Sequence, residues 1–114
     1  MKLQIEGQTL RLRLDETELA TLLAGNASAI RTRFAGVFAI ECSVQLVKGM
    51  DATFSGSAEK WQIGLPGASV REHAERLPTR EGLRFTVTGQ GGADALELLF
   101  DVDVRDSVRR RRSS

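Results

Sequence analysis

The segment TLRLRLDETELATLL, residues 9–23, changes its hydrophobic period in mid-course, and that change decides how the chain reads. Up to Leu14 the leucines alternate with Arg11 and Arg13, which is the two-residue period of a half-buried strand. Past Asp15 the apolar residues fall at Leu19, Leu22 and Leu23, a single stripe of a helix. Asp15 is a good helix-capping residue, and Glu18 stands three positions on, where a capping box needs its reciprocal carboxylate. Glu16 and Glu18 also put negative charge at the positive end of the helix dipole. The switch from arginine to acid is therefore architectural: the arginines dress a strand, and the acids start a helix that Gly25-Asn26 stops.

Upstream, Leu3 and Ile5 alternate with Gln4 and Glu6, and Gly7-Gln8 suits a two-residue type II′ turn, so the opening predicts a hairpin. Downstream, Ile30, Thr32 and Phe34 alternate with Arg31 and Arg33. After Gly36 comes the clearest strand, with Phe38, Ile40, Cys42, Val44 and Leu46 on one face. Short strands follow around Ala52 to Phe54 and Trp61 to Leu65. Val70, Ala74 and Leu77, with Pro78 beyond, predict a short helix over 68–77. Leu83, Phe85 and Val87, then Leu96 to Val104, predict a last pair of strands around the loop GQGG, residues 89–92. The order is ββα-ββββ-α-ββ, and no internal repeat is visible. Short connections favour antiparallel neighbours, which predicts an α+β fold: a mostly antiparallel curved sheet or partial barrel with two short helices. Residues 1–106 read as a single domain and 107–114 as a disordered basic tail.

The 114 residues, 41% hydrophobic and 27% charged, are ordinary for a soluble globular protein. No run approaches the roughly 18 apolar residues of a membrane span. MKLQIEGQTLRL breaks its apolar run too often for a signal peptide, so the expected location is cytoplasmic. Cys42 is the only cysteine, which excludes an intrachain disulfide or a cysteine-built metal site, and its place between Ile40 and Val44 makes it a core residue. His73, the only histidine, sits between Glu72 and Glu75 and reads as a surface residue rather than a general base. Ser55, Ser57 and Ser69 have no base nearby in sequence. No enzymatic activity and no cofactor is predicted.

A net charge of +1 gives no global pull on any partner, but the basic residues are clustered. Arg11, Arg13, Arg31 and Arg33 point outward from strands, and Arg109, Arg110, Arg111 and Arg112 crowd the tail. Together they are a candidate anion surface for phosphate groups or non-specific nucleic acid. Against this, Glu97, Asp101 and Asp103 form an acidic stripe able to pair with arginines across the sheet. A further reading, a divalent-metal-dependent hydrolase on Asp101, Asp103 and Asp106, lacks a converging histidine or third strand carboxylate, and no metal site is assigned. The inward positions are apolar and include the aromatic residues, which predicts a packed interior without a polar lumen or a base-stacking platform. The leading expectation is a small non-enzymatic binding or accessory module that contacts another protein or a second copy of itself. Outward Val37, Ala39 and Leu99, or a free sheet edge, would supply the contact.

The opening MKLQIEGQTLRLRLDETELATL resembles a family of short, uncharacterised bacterial proteins. These begin with Met-Lys, a hairpin around a glycine, an Arg-x-Arg-Leu strand and a helix. Met1, Lys2, Ile5, Gly7, Leu10, Arg11, Arg13, Leu14, Glu18 and Leu19 carry the resemblance, with an echo in ALELLFDVDV. It covers about the first fifth of the chain, and VRRRRSS replaces the family's longer polar tail. The resemblance implies a shared small α+β fold, no known function, and no site residue.

Overall fold

The computed structural model describes residues 1–89, 92 and 94–104. Its elements run β1 (Lys2–Glu6), β2 (Thr9–Asp15), α1 (Glu16–Leu23), β3 (Ser28–Phe34), β4 (Phe38–Val47), β5 (Thr53–Gly56), β6 (Lys60–Pro66), α2 (Gly67–Glu75), β7 (Leu83–Val87) and β8 (Leu96–Asp103). This is the α+β order expected. The loop at 89–92 lies partly, and Asp106 and Arg109 to Arg112 wholly, outside the described residues.

Local chemistry forms the elements as their residues dictate. Gly7, at φ 56°, turns the first hairpin so that Glu6 pairs with Thr9. At α1 the amide of Glu18 donates to Asp15 Oδ1 at 2.7 Å, and the amide of Asp15 donates to Glu18 Oε1 at 3.0 Å, closing the capping box. At the other end the amide of Asn26 donates to the Thr21 carbonyl at 3.1 Å and that of Gly25 to Leu22 at 2.9 Å. With Gly25 at φ 89° this is a Schellman stop. The second helix ends at Glu75, two residues short of the expected span. Pro78 disfavours helical backbone at Leu77, and Arg76 serves as the cap.

The strands build two four-stranded sheets that do not close into a barrel. Sheet one has the order β1-β2-β8-β7 and sheet two β3-β4-β6-β5. Each sequential hairpin is antiparallel, as short connections require. The centre of each sheet is different: β2 pairs parallel with β8, and β4 pairs parallel with β6. Both sheets are thus two hairpins joined through their second strands.

This arrangement repeats one topology twice, although the residues show no repeat. The chain runs ββαββ twice, as β1β2α1β3β4 and β5β6α2β7β8. Exchanging the halves maps every pairing onto another: β1–β2 onto β5–β6, β3–β4 onto β7–β8, and β2–β8 onto β6–β4. Even the register follows, since Leu12 pairs with Phe100 as Ile63 pairs with Val44. Each sheet takes one hairpin from each half, so neither half completes a sheet alone.

One apolar face of each sheet joins a common core with the helices. Leu12, Leu14, Leu98 and Phe100 from sheet one meet Cys42, Val44, Ile63 and Leu65 from sheet two, with Leu19 and Leu22 of α1 and Val70 of α2. The opposite faces of the two sheets turn outward. His73 also belongs to the interior at 2% exposed, which corrects its expected surface position. Its ring stands edge-on to Phe100, centroids 6.2 Å apart. The reason is helical spacing: His73 is three residues beyond buried Val70, and matching the halves puts it where α1 has Leu22.

Candidate functional site

Sheet two presents a face whose cover ends partway along it. In-register neighbours point to the same side, so Ile30, Thr32, Phe34, Phe38, Ile40, Cys42, Val44, Phe54, Trp61, Ile63 and Leu65 share that face. Cys42, Val44, Ile63 and Leu65 are buried. Ile40 and Trp61 are half-buried, and beyond them Phe38 is 51%, Phe34 43% and Phe54 37% exposed. These phenylalanines were expected in the core. The alternation assigned their face correctly, but β4 is ten residues long and runs past the elements that cover its other end.

The open end is ordered by its own contacts. Phe34 and Phe38 stack with centroids 4.8 Å apart, and Phe54 and Trp61 lie 6.0 Å apart. Trp61 Nε1 donates to the Ala58 carbonyl at 2.8 Å, which fixes the indole. Val37, 80% exposed, stands at the β3–β4 tip next to Phe38 in the chain. At about 200 Å² per phenylalanine side chain, the three rings alone leave on the order of 250 Å² uncovered. With the half-buried Ile40 and Trp61 the patch approaches the size, roughly 300–600 Å², at which a monomer's largest apolar patch is often functional. The face carries no charged side chain, because Arg31, Arg33, Glu41 and Lys60 alternate to the reverse side. No signal in the sequence marked this end as open, since the alternation from Phe38 to Leu46 is no longer than that from Leu96 to Val104.

The arginines do not converge. Arg11 and Arg13 lie on the outer face of sheet one, Arg31 and Arg33 on the outer face of sheet two. Arg13 pairs in register with Asp101, and its Nε is 3.5 Å from Asp101 Oδ1; Arg11 Nε is 4.0 Å from Oδ2. Asp101 Oδ1 is shut off from solvent and receives no hydrogen bond among the described residues, so the pairing is coulombic rather than a formed fork. Glu97 meets Arg84 at 3.5 Å and accepts from Thr86 Oγ1 at 2.7 Å. On sheet two Arg31 stands opposite Glu41 and Arg33 opposite Ala39.

The other sequence candidates separate as well. Val37 is at a hairpin tip, Ala39 on the outer face of sheet two, and Leu99 on the outer face of sheet one between Arg11 and Arg84. Burial pushes the Cys42 thiol up to about 11, so it is protonated and unreactive at neutral pH. Burial lowers the pKa of His73, Arg76 adds to the lowering and Asp101 opposes it; the imidazole is neutral at pH 7. Among the described residues no helix is long and apolar enough to cross a membrane. No protein-family model and no curated protein matches the chain.

Proposed function

We propose that the protein is a small non-enzymatic binding module of the cytoplasm that works as a reversible homodimer, joined face to face through the open end of sheet two. The observation that carries this reading is the charge-free aromatic face of Phe34, Phe38, Phe54 and Trp61, continuous with the core yet uncovered. A second copy fits it best. Apolar faces are self-complementary about a two-fold axis, whereas a face without charge offers nothing to select a charged foreign partner. Its area is modest against the roughly 800 Å² per partner of a stable complex, so association is weak and concentration-dependent.

The alternative route, pairing of two β3 edges, is disfavoured by charge. Antiparallel pairing about Thr32 would set Arg31 of one copy directly against Arg33 of the other. An anion-binding role for the arginines has less support, because Arg11 and Arg13 share Asp101 and the two arginine pairs lie on different sheets.

Sedimentation velocity over a wide micromolar range tests the proposal. The expected result is a mass that rises toward twice the monomer with concentration, and that stays monomeric in a Phe34→Ser/Phe38→Ser variant. A constant monomer mass would overturn self-association and turn the search to a foreign protein on the same face.

A further inference from the structure

We propose that the outer face of sheet two holds a second, separate site, for an uncharged polyhydroxyl ligand the size of one sugar ring. Two cross-strand rows lie side by side there. Ser43, Gln62 and Ser55 form one, and Gln45, Gly64 and Thr53 the other, each row drawn from β4, β6 and β5. They line a depression of about 160 Å³. Gly64 is its floor. A Cβ at this position would stand 2.5 Å from Thr53 Oγ1 and 2.7 Å from Val47 Cγ1, so the glycine is what lets these two lining side chains close over the β6 backbone.

The lining has unspent hydrogen-bonding capacity. None of the side chains of Ser43, Gln45, Thr53, Ser55 and Gln62 makes a hydrogen bond among the described residues. Every one of the five carries both a donor and an acceptor, and none carries a charge. A sugar hydroxyl is likewise both donor and acceptor. A carboxylate or phosphate would find no cation in the lining, and the adjoining charges, Glu41 and Lys60, pair with each other at 3.8 Å. The volume is below the roughly 300–1,000 Å³ of a drug-sized pocket, which suits one ring.

The matching rows in the other half of the chain have a different chemistry. The corresponding rows on sheet one are Leu99–Arg11–Gln4 and Asp101–Arg13–Lys2. There Arg13 occupies the place of Gly64, and it meets Asp101 at 3.5 Å, where sheet two has Gln45. One half of the chain carries an ion pair at these rows; the other carries neutral polar groups around a glycine.

The test is a titration of the ¹⁵N-labelled full chain, followed by amide chemical shifts, with methyl glucoside, methyl galactoside and N-acetylglucosamine. Glucose 6-phosphate and glucuronate serve as charged controls. The expected result is a saturable shift with at least one neutral sugar at millimolar concentration, centred on the side-chain amides of Gln45 and Gln62. It should be weaker with the charged sugars, lost in Ser55→Ala/Gln62→Ala, and retained in Phe34→Ser/Phe38→Ser. Both residues of the first pair are exposed, so an unchanged spectrum elsewhere certifies the fold. Absence of saturable shifts with every neutral sugar, or shifts that persist in Ser55→Ala/Gln62→Ala, would overturn the site.

Discussion

The rings of Phe34 and Phe38 stack within 17° of parallel at the end of a sheet, and both stay open to solvent. Phe100, on an equally alternating strand, has no exposure at all. The same residue type in the same local pattern therefore has two energetic meanings.

Phe38→Ala should cost about 1 kcal/mol, mostly lost ring stacking. Phe100→Ala should cost about 3–5 kcal/mol, since it opens a cavity in the core. Urea denaturation at a concentration where the chain is monomeric measures both. Equal losses would mean that Phe38 is covered in solution.

Glu18 holds the first turn of α1 from two sides. It accepts from the Asp15 amide, and its oxygens lie 2.6 and 2.7 Å from the part-buried Met1 ammonium. Asp15→Ala should cost about 1 kcal/mol as a lost cap. Glu18→Ala should cost more, because it also removes the partner of the part-buried Met1 ammonium. Denaturant midpoints that rank the two variants the other way would contradict this account.

The pH dependence of stability should carry a signature of His73. Its folded pKa lies below the ordinary value of 6.5, so just under that pH the unfolded chain binds a proton that the folded chain refuses. Stability should fall as pH drops below 6.5 and stop falling from this source below the folded pKa. Substitution by Gln should flatten that part of the profile. Thermal melts across the weakly acidic range would show an unaltered slope if His73 is not the group involved.

Asp101 is shared between the outer arginines Arg11 and Arg13 of sheet one. Its replacement by Ala should cost little stability, as partly exposed ion pairs contribute about 0–1 kcal/mol. It should, however, move elution from a heparin column to higher salt, by freeing Arg11 and Arg13 beside Lys2. An unchanged elution would show that these arginines are not available to anions even without their partner.

Much of the fold was legible in the residues. The type II′ position of Gly7, the capping box of Asp15 and Glu18, and the stop at Gly25-Asn26 all depend on atoms within a few residues of one another. The two-residue period also assigned side chains to faces correctly along β2, β4 and β8. The site was less legible. Periodicity named the face of Phe34, Phe38 and Phe54 but not its cover, and the flanking glutamates of His73 suggested surface while its spacing from Val70 favoured the interior.

The chain by itself thus determined its turns, caps, element order and the two faces of each strand, since these follow from local sterics and hydrogen bonding. Only the tertiary structure decided that β2 meets β8 and β4 meets β6, that two dissimilar halves share one topology, and that Arg13 and Gly64 hold matching positions. Those outcomes depend on which distant surfaces pack together. An apolar face demands a partner without specifying which one, and sheet two reaches farther than its partner extends.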